Sequence, residues 1–143
     1  MRHLTLFATF LALTLLTACT GVLPMHESAA EVRDRYNAYA GPPVDHFTWM
    51  GRYDSWEPIG RDQLVVFTGV SDAYLLRLSP PCNDLQFRNS IGLTSTAHTV
   101  YARLDSVNVG DWRCPIEEIR KIDYHRMKAD LRLDAQAKAK VTQ

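Results

Sequence analysis

The sequence predicts an α+β fold: a small antiparallel sheet or open barrel flanked by an N-terminal and a C-terminal helix. Three observations predict it. Val32, Tyr36 and Tyr39 recur at helical spacing behind Ser28, with Glu31 three residues after the serine, the spacing of a reciprocal N-terminal cap. Two apolar runs, Leu64-Val65-Val66-Phe67-Thr68 and Ala73-Tyr74-Leu75-Leu76-Arg77-Leu78, flank a short link of turn formers, Gly69-Val70-Ser71-Asp72, as the strands of a hairpin do. From Tyr124 onward the chain is rich in Lys, Arg, Ala and Leu, residues that favour helix where packing does not decide. A length of 143 residues suits one domain and leaves little room for two cores.

The start of the chain reads as a processing signal. Met1-Arg2-His3 is a short positive region, and Leu4 to Leu16 is an uncharged apolar run. About thirteen residues fall short of the roughly twenty that cross a hydrocarbon core as a helix, so residues 1–18 are expected to be a cleaved signal peptide. The run ends in Leu16-Thr17-Ala18-Cys19, which resembles the lipobox of bacterial lipoproteins. In that signal a branched apolar residue precedes two small residues that fit a narrow peptidase cleft, and the following thiol accepts diacylglycerol. The resemblance implies cleavage before Cys19, lipid on Cys19 and a further acyl chain on its amine. Two or more chains hold a protein to a bilayer where one binds only marginally. An ordinary secretory signal with an incidental Cys19 is the alternative. Thr20, rather than Asp, after the cysteine implies the outer membrane by resemblance to the sorting rule of enteric bacteria.

Residues 19–27 carry Pro24 and no periodic pattern, and read as a lipidated tether. Residues 28–143 are expected to form a single small α+β domain with a frayed C-terminal tail. Its first helix should stop at Gly41-Pro42-Pro43, since proline cannot continue it. Phe47 and Trp49 then alternate with polar neighbours as in a strand. After the hairpin, strands fit Ser90 to Thr94 and Thr99 to Asp105. The latter would set Val100, Ala102 and Leu104 on one face against Tyr101, Arg103 and Asp105 on the other. Beyond Cys114, the spacing of Ile116, Ile119 and Ile122 suits a helical turn or an irregular edge strand, and the choice stays open. The helix from Tyr124 is expected to present a hydrated basic face. Contact with anionic lipid head groups is the alternative, diluted by Asp123, Asp130 and Asp134.

With Cys19 committed to lipid, Cys82 and Cys114 remain as an even pair in an oxidising compartment, and a disulfide between them is expected. Neither has a His or a second Cys at metal-ligand spacing. The order Trp56-Glu57-Pro58-Ile59-Gly60, Leu64-Val65-Val66-Phe67-Thr68, Ala73-Tyr74-Leu75-Leu76, Cys82-x-x-Leu85, Ile91-Gly92-Leu93-Thr94, Asp105-Ser106-Val107 and Cys114-Pro115-Ile116-x-x-Ile119 resembles a family of small Gram-negative lipoproteins filed as a domain of unknown function. The resemblance spans roughly Val44 to Asp123. It implies a paired-cysteine pattern matching Cys82 and Cys114, and it implies no activity.

Lys+Arg 16 balances Asp+Glu 16, so no general field gathers nucleic acid, and no nucleic-acid partner is expected. No Gly-x-Ser-x-Gly elbow, phosphate-cradling loop or His-Glu-x-x-His pattern occurs, and no catalytic residue, metal site or cofactor is expected. His46, His98 and His125 lie far apart in sequence. Asp62, Asp84 and Asp105 could supply paired carboxylates for acid–base work, although turns and strand ends commonly use Asp. The expected role is a non-catalytic binding or structural module, anchored to the membrane by its lipid and facing the periplasm, with an envelope protein or glycan as partner. A periplasm-facing hydrolase-like enzyme with an unrecognised site is the alternative. Trp49, Tyr53 and Trp56 are candidate contact residues, because large rings carry much of the energy at interfaces and stack on sugars. Core packing ahead of the hairpin is the plainer reading of Trp56.

Overall fold

A computed structural model describes residues 27–50 and 52–141. The expected signal peptide, Cys19 and the tether as far as His26 lie outside the described residues. Helix α1 (Ala29–Tyr39) opens on the reciprocal cap read from the sequence: the Glu31 amide donates to Ser28 Oγ, and the Ser28 amide donates to Glu31 Oε2 at 2.7 Å. The helix stops where expected, but Gly41-Pro42-Pro43 does more than stop it. These residues lie in strand β1 (Ala40–Val44), which pairs with a later strand through an irregular register between Ala40 and Pro43. Proline is tolerated at such an edge or bulge because no ladder amide is needed there. The Arg120 guanidinium donates to the carbonyls of Gly41 and Ala40 at 2.7 and 2.8 Å, satisfying acceptors at the irregularity.

Among the described residues, eight more strands and a second helix follow. They are β2 (His46–Thr48), β3 (Ser55–Pro58), β4 (Gln63–Phe67), β5 (Ala73–Leu78), β6 (Gly92–Leu93), β7 (Thr99–Tyr101), β8 (Ser106–Val109), β9 (Trp112–Ile122) and α2 (Tyr124–Val141), with a 3-10 turn at Leu85–Phe87. Every strand pairing is antiparallel. The main sheet runs β3-β4-β5-β9-β8-β6 and curls into a half-barrel. Strand β5 occupies one edge of β9 along Ile116–Ile122, while β8 and β1 pair with it at Trp112–Pro115 and Ile119–Ile122. A two-stranded ribbon of β2 and β7 sets Phe47 opposite Val100, and both side chains are buried in the inner core. The fold is therefore α+β with flanking helices, as the sequence predicts.

The sheet buries both of its faces, which explains the nearly unbroken apolar runs of its central strands. Leu64, Val66, Leu76, Leu78, Ile116 and Ile119 join an inner cluster in the hollow of the half-barrel. Val65, Ala73, Leu75 and Ile122 join an outer cluster with Tyr36 of α1 and Met127 of α2. In β9 the spacing that left helix and strand open is now accounted for. Ile116 and Ile119 are an odd number apart, so a regular strand would turn them to opposite faces. The register passes from Leu78↔Ile116 to Arg77↔Glu118 and leaves Glu117 as an extra residue, a bulge that returns Ile119 to the inner face. Arg77 and Ser79 both donate to the Glu117 carboxylate. From Ile119 to Ile122 the register is regular, and the odd spacing delivers Ile122 to the outer face.

Two expected strands are shorter than the sequence implied. Ser90 to Thr94 contributes only Gly92–Leu93. The expected strand from Thr99 to Asp105 ends at Tyr101, because the chain turns through Ala102-Arg103-Leu104 with Arg103 at φ 68° and Leu104 77% exposed. Asp105 holds the turn: its carboxylate accepts the Tyr101 amide at 2.8 Å and the Thr94 hydroxyl at 2.7 Å. Helix α2 starts on Asp123, whose Oδ1 accepts the Arg126 amide at 3.1 Å. Met127 is its buried anchor, and residues 131–141 are exposed throughout.

Two predictions follow from this core. Deleting Glu117 leaves Ile116 and Ile119 two residues apart on one face, so the protein should still fold cooperatively, at a cost of about 1 kcal/mol for the exposed ion pair lost. Deleting Lys121 brings Ile119 and Ile122 into the same parity and should prevent cooperative unfolding; a urea melt of each deletion decides. Tyr36 is buried and its hydroxyl donates to Glu57 Oε2 at 2.6 Å. Burial, and then the Glu57 carboxylate, raise its pKa above the ordinary value. A raised folded-state pKa gives stability that is complete below the unfolded value near 10 and is lost as pH rises through the folded value. Tyr36→Phe should therefore cost roughly 1 to 3 kcal/mol at pH 8, and its deficit should shrink at pH 11 in paired urea melts.

Candidate functional site

The three aromatic residues favoured by the sequence are occupied with packing. Trp49, Tyr53 and Trp56 are all half-buried against the inner cluster. The Tyr53 hydroxyl donates to the Ile91 carbonyl at 2.6 Å, and the Trp49 amide donates to the His98 carbonyl at 2.6 Å. Each of the three thus packs against the same inner cluster. The histidines stay apart. His46 tilts against Tyr101 with ring centroids 5.3 Å apart, while His98 is exposed in a left-handed turn. His125 Nε2 lies 2.9 Å from Ser71 Oγ on the surface, yet no carboxylate orients its ring among the described residues, so the pair is two-thirds of a nucleophilic triad. Asp105 is spent on its turn. No group of three His, Cys, Asp or Glu side chains among the described residues could hold a metal ion.

Asp62 and Asp84, by contrast, both line a cleft of ≈ 830 Å³ at the end of the sheet where β4 and β9 begin and β5 ends. Backbone bonds from the Leu78 amide to the Asp62 carbonyl, 2.8 Å, and from the Ser79 amide to the Pro115 carbonyl, 2.9 Å, fix this end. The chain then passes through Pro80 and Pro81 to Cys82, which is disulfide-bonded to Cys114 of β9 with a Cα–Cα distance of 5.5 Å. Cys82 and Leu85 are buried and line the floor, continuous with the inner cluster that also holds Cys114. Asp84 takes a left-handed conformation, φ 63°, and its carbonyl accepts the Phe87 amide at 2.9 Å to close the 3-10 turn.

That turn decides which side chain goes inside. Leu85 is 1% exposed and plugs the core, whereas Phe87, two residues on, is 83% exposed and lines the cleft. Positions two apart in a three-residue-per-turn helix point away from each other. Trp112, 43% exposed, two residues before Cys114 and on the same side of β9, also lines the cleft. The loop bearing Phe87 is braced against the β8–β9 hairpin: Arg88 pairs with Asp84 at 3.6 Å and lies on Gly110. A Cβ at Gly110 would meet the Arg88 guanidinium at 2.7 Å, and the glycine's φ of +60° suits the two-residue hairpin turn. Arg61, Asp62, Asn83 and Gln86 also line the cleft, and among the described residues their side chains make no hydrogen bond or ion pair. Two exposed rings, uncommitted planar polar groups and a crosslinked floor thus share one cleft. Sequence reasoning missed Phe87 and Trp112 because each is a lone aromatic among polar residues. Their nearness to the two cysteines was the available signal.

Residues 1–139 match the model of a family of unknown function (DUF6491), and the chain belongs to that family. No curated protein and no solved structure matches it.

The crosslink should be a main source of rigidity here. A sequence separation of 32 implies about 3 to 4 kcal/mol in the loop-entropy account. The double variant Cys82→Ala, Cys114→Ala should lose stability of that order in denaturant unfolding, and the loop around Phe87 should lose amide exchange protection before the β4–β5 hairpin does.

Proposed function

We propose that this member of the family is an envelope lipoprotein, cut before Cys19, held to the outer membrane by lipid on that residue and facing the periplasm, where it binds a partner without catalysing a reaction. The observation that carries the binding role is the cleft between Phe87 and Trp112, where exposed rings and unpaired polar groups converge above a crosslinked floor. Rings left in water carry a cost that a partner's apolar surface would relieve. The contact surface therefore moves from Trp49, Tyr53 and Trp56 to these two residues. Support for the address comes from Leu16-Thr17-Ala18-Cys19 after an apolar run, and from the remaining cysteine pair forming a disulfide, which suits an oxidising compartment. Residues 19–27 extend to at most about 30 Å, so the anchor would keep the cleft close to one surface and raise its effective concentration there.

Crosslinking in intact cells, followed by mass spectrometry of what co-purifies with the tagged protein, tests this reading. The wild-type protein should yield a reproducible envelope partner, lost with Cys19→Ala and weakened with Phe87→Ala and Trp112→Ala together. Full partner recovery by the folded aromatic variant would remove the cleft from the proposal. A mature N-terminus other than an acylated Cys19 would remove the anchor.

A further inference from the structure

We infer that the cleft takes a neutral glycan chain, an inference that rests on the cleft being the contact surface proposed above. A pyranose ring presents C–H groups on its faces and hydroxyls around its rim, so its receptor needs flat apolar rings beside hydrogen-bonding groups of both kinds. Phe87 and Trp112 supply the rings. Asn83 and Gln86 offer amide donors and acceptors, and Asp62 offers a carboxylate acceptor to hydroxyl protons. None of these three polar side chains is committed elsewhere among the described residues.

Charge narrows the class. Asp84 is already paired with Arg88, which leaves Asp62 against the guanidinium of Arg61, so the lining offers phosphate- or uronate-bearing sugars no excess of positive charge to hold them. The volume of ≈ 830 Å³ lies within the range of about 300 to 1,000 Å³ that small ligands occupy, enough for a short oligosaccharide segment. The disulfide and the Arg88 contact on Gly110 tie the loop that carries Phe87 to β9 and the β8–β9 hairpin before the ligand arrives, which reduces the ordering entropy lost on binding.

Isothermal titration calorimetry of the full-length lipidated protein, held in a sugar-free detergent, against chitotetraose, cellotetraose and maltotetraose tests the inference, with trigalacturonate as the acidic comparison. At least one neutral tetrasaccharide should bind at millimolar concentration or below. Phe87→Ala and Trp112→Ala should each weaken it about three- to tenfold, and trigalacturonate should bind more weakly or not at all. Circular dichroism confirms that the Phe87→Ala protein is folded. Preference for trigalacturonate, or binding unchanged by both substitutions, overturns the inference. If no sugar binds yet the in-cell partner is lost with the aromatic variant, the cleft is a protein-contact surface and only the glycan inference falls. If no sugar binds and the partner is retained, the cleft fails in both readings.

Discussion

Strand β9 is the constraint on which the rest of the fold depends. Its 11 residues pair with β5 along one edge and with β8 and β1 along the other, so three separate parts of the chain take their register from it. Period-two alternation alone could not serve both cores with this spacing of isoleucines. The extra residue at Glu117 keeps Ile116 and Ile119 inside, and the regular stretch that follows hands Ile122 to the helices. Curl and core assignment are thus one event, since a bulge both re-aims side chains and increases local twist.

The two ends of β9 then set the two ends of the molecule. At its C-terminal end Ile122 runs through Asp123 directly into α2, and the Asp123 amide bonds to the Tyr39 carbonyl of α1 at 2.9 Å. Both helices therefore depart from a single corner, and Tyr36 and Met127 reach the same outer cluster. At its N-terminal end Cys114 ties the strand to Cys82. The crosslink matters less for the core, which is already continuous there, than for the loop above it. A free loop carrying Phe87 would be driven to bury the ring. Here Leu85 takes the buried place, and the disulfide ties the loop at Cys82, three residues before it.

Local signals were legible in the sequence, and signals created by assembly were not. The Ser28–Glu31 cap, the hairpin around Gly69-Val70-Ser71-Asp72 and the basic C-terminal helix each arise within a few residues, and each appears where the sequence placed it. Ile116, Ile119 and Ile122 resisted assignment because their spacing reflects a bulge and two cores, neither of which is visible from one strand. Gly41-Pro42-Pro43 reads as a stop, and its pairing depends on β9 being at hand. Alternation from Thr99 to Asp105 was misleading because Asp105 turns inward to hold a turn, not a strand face. The site was hidden for the same reason. Trp56 reads as core from its place ahead of the hairpin, and Trp49 and Tyr53 are seen to pack on the same inner cluster only once the fold closes, while Phe87 is left exposed where Leu85 takes the buried place.

On the proposed reading, a balanced charge and a crosslinked, mixed-polarity cleft favour one mode of recognition. With no net charge on the chain, long-range steering adds little to encounter, so selection must come from short-range fit. Ring stacking and single hydrogen bonds are each worth little more than about 1 kcal/mol, and a handful of them gives weak binding. Weak binding is adequate on the proposed reading, because a domain tethered within about 30 Å of a surface meets a repeating ligand on that surface at high effective concentration. A stiff loop pinned to the central strand is then the economical solution, since affinity that cannot come from charge or area comes from walls already in place.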